Sequence, residues 1–182
     1  RTKNFYKQIG YILLSIFFIR CFISRETLFQ QFTLYELIGC MSDSVAITSL
    51  IMFAYEKFLW RWNPLESIPK LYSHYNGTFI SSYDNQCRNA TLDIRQTLLS
   101  VHIKLQTDES RSSSVNASIV DLYGDKCLLY TYLNTPNALV RDRSAIHYGT
   151  ASLCINNDTL SGDYFTDRKT TGVMNFKSIE KK

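Results

Sequence analysis

The sequence predicts a membrane α-hairpin of two transmembrane helices followed by an all-β domain, a small antiparallel closed β-barrel of about eight strands. Two observations carry this. Apolar runs broken by few charges dominate residues 1–61, whereas residues 62–182 switch to short segments of period-two alternation separated by turn residues. No helical crossover interrupts those segments, so neighbouring strands run antiparallel. A β-sandwich of the same length is the alternative.

Composition excludes a disordered chain. In 182 residues, 45% are hydrophobic and 14% aromatic, enough to build a core. The net charge of +4 is mildly basic and favours an anionic partner, headgroup or nucleotide, without choosing between them. Cys21, Cys40, Cys87, Cys127 and Cys154 are odd in number, widely spaced and lack a Cys-x-x-Cys pair, so neither a disulfide framework nor a zinc site is indicated. They point to a reducing compartment. The sequons at Asn76, Asn89, Asn116 and Asn157 are outweighed by that pattern.

The first helix is read from Ile9 to Ile23, after the basic residues Arg1, Lys3 and Lys7, with Arg20 placed to snorkel toward one interface. A signal peptide is the rival reading, but Arg25-Glu26 follows where a small-x-small cleavage site is required. After a polar connection at Ser24–Gln31, the second apolar stretch runs from Leu34 to Trp60. Lys57 and Arg61 follow it, so the positive-inside rule places the amino terminus and the β-domain in the cytoplasm. Trp60 and Trp62 mark the interface. Arg20 and Asp43 are costly in hydrocarbon unless they face protein or water, and Asp43 sits among Ser42, Ser44, Thr48 and Ser49. Self-association through Arg20 and Asp43 is the expectation.

Strands are read at 72–83, 98–107, 115–122, 127–134, 145–155, 160–166 and 172–179, with a further strand or helix in 93–98. Turns separate them at Asp84-Asn85, 108–114, Gly124-Asp125, 134–137, 156–158 and 169–172. A single lumen parity follows: Tyr75, Gly77 and Phe79; Val101, Ile103, Leu105 and Thr107; Tyr130, Tyr132 and Asn134; His147, Gly149, Ala151 and Leu153; Leu160, Gly162, Tyr164, Thr166 and Arg168. One end of the lumen is then apolar, and the other collects Tyr, Thr, Asn, His and Arg. Such a mixture suits a small polar ligand in a barrel mouth.

Together, Trp-Asn-Pro, Tyr75-x-Gly77, Gln106-Thr107, the run Ser110-Arg111-Ser112-x-Ser114, Tyr130-x-Tyr132-x-Asn134-x-Pro136, His147-Tyr-Gly-Thr-Ala-x-Leu153 and Leu160-x-Gly-x-Tyr-Phe-Thr-Asp-Arg168, all after a membrane hairpin, resemble one family. It is the two-transmembrane β-barrel effectors of CBASS, the cyclic-oligonucleotide-based anti-phage signalling system. The resemblance covers almost the whole chain.

It implies a receptor in the bacterial inner membrane. A cognate nucleotidyltransferase would make a cyclic dinucleotide on infection; the barrel would bind it, and the chain would form a homo-oligomer that disrupts membrane lipid and kills the cell. The bases would stack on Tyr75, Tyr130 and Tyr132. Arg111 and Arg168 would meet the phosphodiesters with Thr107, Ser112, Ser114 and Thr166, while Asn134 and His147 would read base edges.

Enzymatic motifs are missing: the sequence has no Gly-x-Ser-x-Gly, P-loop, metal-binding helix or dinucleotide fingerprint. No catalytic residue, metal, cofactor or nucleic-acid polymer is expected. The alternative function is a lipocalin-like carrier of a hydrophobic molecule, whose lumen would be apolar to the mouth. A structural membrane anchor that binds a protein partner would have no small-molecule site.

Overall fold

The computed structural model describes residues 2–27 and 33–180. It contains helices α1 (Thr2–Thr27) and α2 (Leu34–Lys57), short 3-10 turns at Leu59–Trp62 and Ala138–Val140, and eight strands. The strands are β1 (His74–Ser81), β2 (Cys87–Gln96), β3 (Val101–Gln106), β4 (Ser110–Leu122), β5 (Asp125–Pro136), β6 (His147–Asn156), β7 (Thr159–Thr166) and β8 (Thr171–Ser178). Two units follow, Arg1–Pro64 and Leu65–Lys182.

Within the helical unit, two segments are long and apolar enough to cross a bilayer: Phe5–Ser24 (mean hydropathy 1.4) and Leu34–Lys57 (1.7). The predicted polar connection is shorter than expected at its start, because α1 continues to Thr27; residues 28–32 lie outside the described residues. Thr33 and Glu36 form a reciprocal capping box that satisfies the first turn of α2. Cys40, Ser44, Thr48 and Met52, spaced four apart, form the buried stripe of α2. Arg20 and Asp43 pair with each other inside the hairpin, with Nε donating to Oδ2 at 3.1 Å.

In the β unit every strand pairs antiparallel with its sequence neighbours, and β1 also pairs with β8, closing the barrel. No edge is left unpaired, which removes the template for aggregation. The predicted lumen parity holds. Buried residues alternate along β2 (Ala90, Leu92, Ile94, Gln96), β3 (Val101, Ile103, Leu105) and β5 (Leu128, Tyr130, Tyr132, Asn134).

Two readings of the sequence need correction. The segment expected only as a strand or helix at 93–98 is the end of the ten-residue strand β2. Ser110–Ser114, expected in a turn, is the start of β4, and its alternation continues the lumen face through Ser112. The register of β4 then shifts between Ser114 and Asn116, a bulge that leaves Val115 exposed.

The turn geometry is local chemistry. Tyr123 and Gly124 both adopt positive φ, 54° and 96°, in the two-residue loop joining β4 to β5. Left-handed twist at both positions suits the right-handed twist of the paired strands.

One end of the lumen is filled. Leu71 joins Tyr75, Leu92, Ile103, Leu128, Leu153, Leu160 and Phe176 in a continuous core, with Ile68 and Tyr72 packed against it. The segment before β1 is pinned there by the Gln96 amide, which accepts from Leu71 N and donates to Pro69 O, both at 2.9 Å. That segment stoppers the barrel.

Candidate functional site

The opposite end is open. A cavity of about 190 Å3 is lined near its floor by Phe79, Leu105, Tyr130 and Met174, and toward its rim by Asn134, His147, Thr166 and Arg168. The alternation that fills the stoppered end with Leu and Ile brings hydroxyls, amides and aromatic rings to the mouth, because each strand simply continues its own face.

Tyr130 and Tyr132 lie side by side on β5, ring centroids 5.7 Å apart. Both are buried, and burial pushes both phenols well above the ordinary tyrosine range, so they are neutral donors at neutral pH. Tyr164 on β7 meets Phe79 on β1 edge to face at 6.4 Å, with only β8 between the two strands. Its phenol is also raised by burial, an effect opposed by a hydrogen bond with Ser81 and by the Arg88 charge. Gly149 is register partner to Tyr132, and a Cβ there would lie 2.4 Å from the tyrosine Cζ and Oη. Only glycine leaves that ring its place. Gly172 does the same for Tyr164, whose Cε1 would stand 2.5 Å from an added Cβ.

Polar groups ring the aromatics. Ser112 donates to Asn134 Oδ1 at 2.9 Å across the β4–β5 pair, which leaves the Asn134 amide nitrogen, among the described residues, as a donor without a protein partner at the cavity wall. His147 pairs with Asn134 in register, and its Nδ1 donates to Ala145 O at 2.9 Å. In the neutral ring Nε2 is then an acceptor. Thr166 shares a 2.6 Å hydrogen bond with Thr170.

Charge gathers on the rim. Arg88 and Asp84 form a two-pronged pair, with Nη1 donating to Oδ1 at 2.9 Å, and the guanidinium holds the Asp84 carboxyl down to about 2. Arg143 pairs with Glu109. Arg168 donates to Ser144 Oγ at 3.1 Å and, among the described residues, has no carboxylate partner. The rim therefore carries three cations against two carboxylates.

Eight of the residues predicted from sequence meet in this cavity: Thr107, Ser112, Tyr130, Tyr132, Asn134, His147, Thr166 and Arg168. Thr107 lines it with its hydroxyl already engaged, accepting from Glu109 N and Ser110 N at 3.2 and 3.0 Å in the β3–β4 turn. Three predicted residues stand elsewhere. Tyr75 is buried at the stoppered end, its hydroxyl accepting from Tyr72 N at 3.1 Å. Arg111 has the outward parity of β4 and is exposed. Ser114 lies at the bulge, where its hydroxyl accepts from Ile103 N at 2.9 Å and replaces a lost ladder bond.

Residues the sequence reading missed include Arg88, Arg143, Ser144 and Tyr83. Arg88 follows the same parity as Ala90, Leu92 and Ile94, so recognising the start of β2 would have found it. Arg143 and Ser144 come from the β5–β6 loop, where no periodicity exists to point inward.

Among the described residues no group of His, Cys, Asp and Glu is placed to hold a metal ion. The site can stack planar rings, offer neutral donors and acceptors to ring edges, and meet anionic oxygens with arginine.

Residues 66–178 match the family described as Cap15, cyclic dinucleotide receptor domain. A protein of Staphylococcus schleiferi named CD-NTase-associated protein 15 is 31% identical over 169 residues, with 91% of each chain covered. A match over the whole β unit, together with a relative aligned through the helices as well, places this chain in the Cap15 family.

Proposed function

We propose that this chain is a receptor and effector of CBASS anti-phage immunity whose barrel mouth binds a cyclic dinucleotide made by a cognate nucleotidyltransferase. The observation that carries this is the lumen itself, where two neighbouring tyrosines lie below a rim of amide, imidazole and guanidinium groups. Bases stack on Tyr130 and Tyr132, Asn134 and His147 address their edges, and Arg168 meets a phosphodiester. No catalytic step is assigned to the site. Its acidic rim groups, Asp84 and Glu109, are each committed to an arginine rather than held as a pair of carboxylates for acid–base work.

The helices α1 and α2 anchor the chain in the bacterial inner membrane, with the amino terminus and barrel in the cytoplasm. Ligand favours an assembled state by its difference in affinity for assembled and dispersed chains, and the homo-oligomer disrupts the bilayer. A carrier of hydrophobic cargo is the weaker reading, since the polar rim leaves the mouth unsuited to an apolar guest.

Calorimetry with full-length protein in nanodiscs tests the receptor. One member of a cyclic dinucleotide panel binds, and Tyr132→Ala weakens it roughly 5- to 150-fold, the value of one lost base stack. Absence of binding across the panel by a folded chain overturns the reading.

A further inference from the structure

Resting on the membrane-effector reading above, we propose that the Arg20–Asp43 pair is an incomplete charge cluster that a second copy of this chain completes. Arg20 uses Nε and Nη2, both on Oδ2 of Asp43, at 3.1 and 2.5 Å. Among the described residues, Nη1 donates to nothing and Oδ1 accepts from nothing.

The neighbouring hydroxyls do not fill the gap. Ser42 donates to Ile38 O, Ser44 to Cys40 O and Ser49 to Val45 O, each within its own helix. The two side chains remain 38% and 48% exposed. Ile23, one turn from Arg20, and Ile47, one turn from Asp43, are exposed beside the pair, so the opening borders apolar surface.

Depth makes the opening costly. Arg20 is about 6 Å inside the end of the first span at Ser24, and Asp43 about 13 Å inside the start of the second at Leu34. Polar groups left without partners there face hydrocarbon instead of water. Each hairpin thus presents an unused donor beside an unused acceptor, and the same pair on another copy presents the complement. Joining two such pairs gives a neutral four-charge cluster in which every copy both donates and accepts. The pair is satisfied within one hairpin only in part, and across two hairpins in full.

Full-length Arg20→Asp and Asp43→Arg chains, separately and mixed, test this in lipid vesicles by chemical cross-linking. Each reversal alone makes its hairpin charges alike and loses the cross-linked oligomers. The equimolar mixture recovers them to at least half the wild-type yield, because an acidic pair meets a basic one. The double reversal in one chain retains them.

Retention by either single chain overturns the proposal, as does a mixture without recovery beside an active double reversal. If a single chain fails to insert, co-expression of the two restores insertion, and its failure to do so is equally contrary. Ligand affinity measured on the same samples separates the two claims. Wild-type chain that binds ligand without forming oligomers overturns this inference and the assembly step it rests on, and leaves the receptor reading standing. Chain that binds no ligand overturns the receptor reading, while the oligomer yields still decide the inference.

Discussion

The two ends of the barrel lumen are made by the same strands and differ only in what those strands place inside. At the stoppered end, Leu128, Leu153 and Leu160 are fully buried and the segment carrying Leu71 fills the opening. At the mouth, three inward positions further along β5, β6 and β7, stand Asn134, His147 and Thr166 around an open cavity. One end spends its alternation on stability, the other on recognition. A closed barrel can separate these tasks because its ladder is complete at both ends and asks nothing further of the side chains.

Substitutions sharpen that division. Leu128→Ala at the filled end is expected to lower unfolding free energy by about 2–5 kcal/mol, the range for removing a buried leucine. Measured by denaturant titration below the unfolding transition, the folded fraction keeps its ligand affinity within about twofold. An affinity loss as large as that of Tyr132→Ala would show that the ends are not separable.

Gly149→Ala stands between the two effects. Its new methyl displaces the Tyr132 ring from a register partner with little room, costing about 1–3 kcal/mol of stability. Calorimetry should show weaker binding as well, because the displaced ring enters the cavity. Unchanged affinity would show that Tyr132 does not face the ligand.

Arg168→Ala is smaller. It is expected to weaken ligand binding about fivefold, roughly 1 kcal/mol, with little change in melting temperature. The loss shrinks as salt is raised, since the side chain is exposed. A salt-independent loss would point to lost packing instead.

The smallest effect is on acid stability. The Arg88 guanidinium depresses the Asp84 carboxyl from 3.8 to about 2, so the folded state binds this proton less readily than the unfolded state. Stability from the pair is present above the ordinary carboxylate value and is lost as pH falls from there toward 2. Denaturant midpoints measured from pH 5 downward should fall less steeply in Asp84→Asn.

Most of the barrel was legible because period-two alternation is a property of the strand itself. Tyr130, Tyr132 and Asn134, or Leu160, Tyr164 and Thr166, declare one face wherever their partners are. The same signal was thin where polar residues occupy both faces. Residues 87–92 received no assignment from their pattern, and Ser110–Ser114 reads like a turn composition, although both belong to strands. Parity alone also cannot say how far along the lumen a residue lies. That is why Tyr75, on the right face, proved to be at the wrong end. Loop residues such as Arg143 enter the site through the path of the chain, which no local pattern records. The Arg20–Asp43 contact depends on how two helices pack, so sequence could mark both charges as costly without pairing them.

A structure of the chain with the cyclic dinucleotide that binds it decides where recognition occurs. The ligand is expected in the open end of the lumen, with bases against Tyr130 and Tyr132 and a phosphodiester within hydrogen-bonding reach of Arg168. A ligand held on the outer face of the barrel, with the lumen unchanged, would contradict that placement.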